Sequence, residues 1–122
     1  MKTVAVIGAN NDRSKYGNKA VRAFQKAGYQ VYPVHPAQNV VENLPCFKSI
    51  KDLPVRPILV SVYVGPERLL QLLPDIAERG CDELWLNPGT ESSAVLQKAR
   101  ELGLKVKETC SIIEVGYSPA LL

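Results

Sequence analysis

Histidine, methionine and tryptophan each occur once in this 122-residue sequence, and cysteine three times. Cys46, Cys81 and Cys110 lie far apart and form no CxxC pair. A structural zinc site needs four convergent ligands, so a metal centre is not expected. Isolated cysteines of this kind read as reduced thiols, which points to the cytoplasm. No apolar run reaches the roughly 18 residues of a membrane helix, and Lys2 leads directly into a short strand-like run, so neither a membrane span nor a signal peptide is expected. The net charge of +3 is mild, too weak for a nucleic-acid partner. No serine stands in a GxSxG elbow, which removes the usual signature of a hydrolase and leaves no catalytic residue to name.

What the sequence does have is an ordinary globular balance, 46% hydrophobic and 22% charged residues, and a length that predicts one domain over residues 1–122. Val4 to Ile7 is a continuous apolar run ending at Gly8, the pattern of a strand buried on both faces. Ala20, Val21, Phe24 and Ala27 follow at helical spacing, and Gly28 stands where a left-handed cap is wanted. Val31 to Val34 is a second strand that Pro33 weakens as a fully paired central one. The rhythm repeats through a strand at Ile58 to Val62, a helix opened by Gly65-Pro66 and interrupted at Pro74, and a strand at Leu84 to Leu86. A helix from Glu91 to about Leu102 with Thr90 as N-cap precedes a last strand at Leu104 to Val106. Cys46-Phe47 is a candidate edge strand, and Ser49 to Leu53 a helical turn.

Strands alternating with helices predict a doubly wound α/β fold, a mostly parallel sheet of five to six strands with helices on both faces. The expected order runs Cys46, Val31, Val4, Ile58, Leu84, Leu104, which puts the topological switch between the Val4 and Ile58 strands. Ligands bind beyond the strand ends at such a point, between the loops Gly8–Gly17 and Val62–Pro66, the second of which carries Tyr63.

The first loop is longer than a GxGxxG turn and has glycine only at its ends, Gly8 and Gly17. Gly8 supplies the tight turn, and the helix near Gly17 offers free N–H groups to a phosphate. From Gly8 to Val41 the only acid is Asp12, whereas Arg13, Lys15, Lys19, Arg22 and Lys26 are basic. An NAD site places a carboxylate at the end of the second strand, and here that position reads Val34-His35-Pro36. A ligand richer in phosphate is favoured over NAD; the alternative is a solvated basic helix face.

Gly8-Ala9-Asn10, Ser14-Lys15-Tyr16-Gly17-Asn18, Tyr32-Pro33-Val34-His35-Pro36, Trp85-Leu86-Asn87-Pro88-Gly89 and Cys110-Ser111-Ile112-Ile113-Glu114 occur in that order. Together they resemble the small standalone CoA-binding-domain family, similar to the N-terminal domain of the succinyl-CoA synthetase α subunit. The resemblance implies a Rossmann-like domain holding coenzyme A in the crevice. It places Gly8, Ala9 and Asn10 at the turn, and Ser14, Lys15 and Gly17 at the phosphates; Arg13, in the same loop, is expected to approach the ligand with Lys15. Val34 and Pro36 would border the adenosine with His35 between them, and Pro88-Gly89 the pantetheine arm. Cys110 follows the last strand on the ligand side and is expected near the thiol; its alternative role is a small packed residue. The sequence departs from the family pattern at His35, where asparagine is usual, at Tyr63-Val64-Gly65-Pro66, where relatives carry basic residues, and at Ser111-Ile112, where a lysine is usual.

The expected function is non-enzymatic binding of CoA or an acyl-CoA. Two rivals are an NAD(P)-binding enzyme or redox sensor, and a module for a partner protein or a second copy of the chain. An exposed apolar tail from Val115 to Leu122 keeps the last of these open.

Overall fold

Val4 and Val6 face one helical layer while Ala5 and Ile7 face the other, and all four are buried. A strand covered on both sides has no solvent face for polar residues, which explains the unbroken apolar run of β1 (Thr3–Ile7). This computed structural model describes residues 2–122. After β1 come α1 (Tyr16–Lys26), β2 (Gln30–Val34), two short strands β3 (Val40–Val41) and β4 (Leu44–Pro45), then β5 (Leu59–Val62) and α2 (Pro66–Arg79). The chain continues through β6 (Glu83–Leu86), α3 (Ser93–Glu101), β7 (Val106–Glu108) and α4 (Ser111–Glu114).

The main sheet is five-stranded in the order β2-β1-β5-β6-β7, with every pairing parallel. Phe24 and Val21 of α1 and Ile112 of α4 pack on one face; Leu69, Leu73 and Ile76 of α2 and Val95 and Ala99 of α3 pack on the other. The fold is therefore the expected Rossmann-like α/β sandwich, with its switch point between β1 and β5.

Several local expectations change. Cys46-Phe47 is no strand: a single parallel bridge joins Phe47 to Val34, in which Phe47 N–H donates to the Pro33 carbonyl and His35 N–H to the Phe47 carbonyl, each at 2.9 Å. Pro33 is tolerated because the edge strand β2 uses its other side to pair with β1. The segment after β2 instead forms a β3–β4 hairpin whose turn residues Glu42 and Asn43 both have positive φ, 48° and 64°. Helix α2 runs through Pro74 without interruption. That residue is exposed, so water can satisfy the carbonyl it leaves unpaired. The last strand starts at Val106, because Leu104 N–H still bonds Ala99 at the end of α3. The N-cap of α3 is Ser92, whose hydroxyl accepts from Val95 N–H at 3.1 Å, while Thr90 bonds the Asn87 carbonyl in the preceding turn. The C-terminal segment is not a free apolar tail. Val115, Tyr117 and Leu122 pack on the α1 face, Lys19 bonds the Pro119 carbonyl, and Leu121 alone of that segment's large apolar residues is strongly exposed.

Candidate functional site

At the switch point the chain leaves β1 toward α1 and leaves β5 toward α2, and the gap between them opens at the strand ends. Gly8 turns the chain at φ +88°, and a Cβ there would lie 2.8 Å from the Tyr63 carbonyl oxygen. A Cβ on Gly17 would lie 2.1 Å from the Gly8 carbonyl oxygen. The two glycines thus bring the start of α1 directly onto the end of β1. The loop between them is ordered by its own polar side chains. Asn10 accepts from Asp12 N–H at 2.7 Å, Asp12 accepts from Ser14 N–H and Oγ–H at 3.0 and 2.7 Å, and Asn18 donates to the Asn10 carbonyl at 2.9 Å. The Ser14 hydroxyl, and then its N–H, hold the Asp12 carboxyl below its ordinary range. No side chain caps α1 at Lys15, and while Asn18 and Lys19 N–H donate to the Lys15 carbonyl, the N–H groups of Tyr16 and Gly17 remain available to an anion.

This turn forms one wall of a cleft of about 780 Å³, a size within the usual range for a small-molecule site. Gly8, Asn10, Lys15, Tyr16 and Gly17 line it from the first loop and α1; Val34, His35 and Pro36 from the end of β2; Lys48, Ser49 and Ile50 from the segment beyond. Tyr63, Val64, Gly65 and Arg68 line the opposite side. Its charged lining is Lys15, Lys48 and Arg68, with no carboxylate. His35 Nδ1 accepts from Ala37 N–H at 3.0 Å, which leaves Nε2 as the ring's donor.

Beyond the Tyr63–Gly65 turn lies a second cavity of about 560 Å³, sharing Tyr16, Tyr63, Val64 and Gly65 with the first. Pro88, Gly89, Thr90, Cys110, Ile113 and Pro119 complete most of its wall. Beneath it a buried polar cluster ties β5, β6 and α4 together. Ser61 and Ser111 share a hydrogen bond of 2.8 Å, and Asn87 donates to Ser61 and to the Val62 carbonyl while accepting from Ser111 N–H at 2.7 Å. The Tyr63 hydroxyl is buried beside Ser61 and Ser111 without a well-formed hydrogen bond to either, and burial, aided by neighbouring Cys110 and only partly opposed by those two hydroxyls, raises its ionisation well above the ordinary range, so it stays protonated.

The structure brings Gly8, Asn10, Lys15, Gly17, Val34, His35, Pro36 and Tyr63 to the cleft, and Tyr63, Pro88, Gly89 and Cys110 to the adjoining cavity. Ala9 and Val62 lie in the core beneath. Arg13 and Ser14 line neither cavity: Arg13 ion-pairs with Glu42 at 3.5 Å and Ser14 is bound to Asp12. Sequence reasoning missed Lys48 and Arg68. Arg68 was within reach of it, since the first turn after Gly65-Pro66 borders the crevice; Lys48 depends on the Phe47–Val34 bridge, which carries no local signal. Among the described residues no group of three metal-ligating side chains converges, and no helix is long and apolar enough to cross a membrane.

Residues 2–116 match the model of the CoA binding domain family. The chain belongs to that family. It is 32% identical over 78 residues to the α subunit of ADP-forming acetate–CoA ligase II of Pyrococcus furiosus, a match covering 63% of this chain but only 17% of the ligase subunit. Protein YneT of Bacillus subtilis is 24% identical over 105 residues, 86% of this chain and 78% of YneT. Among solved structures, a conserved hypothetical protein of P. furiosus superposes with a TM-score of 0.86 at 28% identity, covering 93% of this chain and 99% of the other. A protein of Thermus thermophilus gives 0.87 at 28% identity, covering 93% and 87%.

Proposed function

We propose that this chain is a CoA-binding protein that holds its ligand without transforming it, and that residues 1–122 act as one binding unit. The observation that carries the reading is the cleft at the β1–β5 switch point, lined by Lys15, Lys48 and Arg68 with no carboxylate, in a chain of the CoA-binding domain family. CoA carries a diphosphate and a ribose 3′-phosphate, and these cations with the uncapped start of α1 suit that charge. In this reading Gly8, Ala9 and Asn10 shape the turn, Gly17 admits the diphosphate, and Lys15, Lys48 and Arg68 hold phosphate oxygens. Val34, His35 and Pro36 border the adenosine, while Tyr63, Pro88, Gly89 and Cys110 border the pantetheine arm. Ser14 and Val62 support the loop and the floor, and Arg13 holds the loop through Glu42.

NAD is disfavoured because Glu42, the carboxylate reaching the first loop from the hairpin, is engaged by Arg13 and Asn18. Binding without turnover is supported by the buried serines, which bond one another and Asn87 and lie beside a Tyr63 hydroxyl that stays protonated. Thiols that form no disulfide suit a cytoplasmic location. Thermal denaturation with CoA or NAD at equal concentration tests the reading. CoA should raise the transition temperature and NAD should not; the reverse order would sink the proposal.

A further inference from the structure

The two cavities share a partition and differ in chemistry. Tyr63, Val64 and Gly65 form the wall between them. The cleft on one side is cationic, whereas no charged side chain lines the chamber on the other. The chamber's polar groups are also largely committed. The Asn87 amide is bonded to Ser61, the Val62 carbonyl and Ser111 N–H, and the Thr90 hydroxyl donates to the Asn87 carbonyl at 2.7 Å. An occupant would find rings, aliphatic side chains, glycine backbone and the Cys110 thiol, the one buried hydroxyl without a partner among the described lining residues being that of Tyr63. The mouth is largely apolar: Tyr16 and Ile113, both in the lining, are 57% and 63% exposed, and Leu121, two residues beyond the lining Pro119, is 85% exposed, while the Lys19 ammonium at its edge is tied to the Pro119 carbonyl at 2.9 Å.

A ligand spanning both spaces therefore needs a polyanionic end, a linker crossing the Tyr63–Gly65 partition, and an apolar uncharged end. We propose that the chamber takes the thiol end of the pantetheine arm together with an acyl chain carried on its sulfur, so that the native ligand is a CoA thioester of an apolar acid of several carbons rather than free CoA. This rests on the CoA reading above and adds the class of the group at the sulfur. The chain would cover part of the apolar surface of Tyr16 and Ile113, which the fold leaves exposed.

The test uses CoA and its S-methyl, S-butyl and S-hexyl thioethers, titrated calorimetrically into the full chain; these analogues cannot be hydrolysed. Affinity should rise about three- to fourfold for each methylene that becomes fully buried. In Cys110→Trp, which places an indole inside the chamber, the ratio of hexyl to methyl affinity should collapse toward one. Ile113→Ser, at the open mouth, should lower the same ratio with less demand on folding. A flat or falling series in the unaltered protein, with CoA itself still bound, overturns the acyl assignment and leaves the CoA reading standing. Absence of binding by CoA and all three thioethers overturns both.

Discussion

Gly17 shows how a single hydrogen atom determines the site. Its Cα rests against the Gly8 carbonyl, so a methyl group at 2.1 Å would push the start of α1 off the end of β1. Alanine ordinarily gains up to about 1 kcal/mol over glycine in a helix, whereas overpacking against backbone costs about 1–3 kcal/mol. Gly17→Ala should therefore lower the urea midpoint, and an unchanged or higher midpoint would contradict the close approach. The basic side chains separate by partner. Lys15→Ala or Arg68→Ala should weaken CoA by about 1.5–3 kcal/mol, as for a charged hydrogen bond. Arg13→Ala should cost below about 1 kcal/mol, because its exposed guanidinium already faces Glu42. Equal losses at Arg13 and Lys15 would place the phosphates on the outer side of the loop. Cys81 gives a pH prediction. Burial pushes its thiol up to about 11, opposed by Arg56 and reinforced by Asp82. The folded state favours the neutral thiol, a contribution present below the unfolded value near 9 and lost as pH rises toward 11. Alkylation of Cys81 in the folded protein should follow that same rise, and a midpoint near 9 would contradict the burial argument.

Among the elements, α2 carries the most evident conflict between local and global preference. Pro74 removes one N–H from the middle of the helix, a loss of about 3 kcal/mol in a helix interior. Leu69, Leu73 and Ile76 are all fully buried against the sheet, and that packing holds the helix continuous past the missing hydrogen bond. Pro74→Ala should stabilise the protein by about 2 kcal/mol, the helix gain reduced by the greater freedom of the unfolded chain. A destabilised variant would mean that Pro74 makes a packing contact that alanine loses. The β3–β4 hairpin has a different kind of influence. It adds Val41 and Leu44 to the core on the α1 side, and its turn brings Glu42 to within bonding distance of Asn18 and Arg13 and so braces the first loop.

For the whole molecule, the cleft couples binding to stability. A ligand at a hundred times its Kd contributes about 2.7 kcal/mol, which for a domain of this size is a shift of about 10 °C. CoA should produce a shift of that order, and added salt should shrink it by screening the three exposed cations. A shift indifferent to salt would mean that apolar contacts, rather than the phosphates, dominate binding.

The apolar runs, the glycines after α1, α2 and α3 and the alternation of strand and helix by themselves determined the α/β class, the switch point and the order of the five strands that form, because periodicity and chain reversal are local properties; the sixth, expected at Cys46, is reduced to a single bridge. They also marked Gly8, Lys15, Gly17 and His35, since a turn and the end of a strand are visible in a few residues. What the tertiary structure alone decided lies where distant segments meet. Lys48 reaches the cleft through a backbone bridge to β2, Arg13 is diverted to Glu42, and the C-terminal segment folds onto α1. The division of the crevice into a cationic half and an uncharged half likewise depends on how the ends of β5, β6 and α4 pack around Asn87, a contact among residues separated by 24 or more positions.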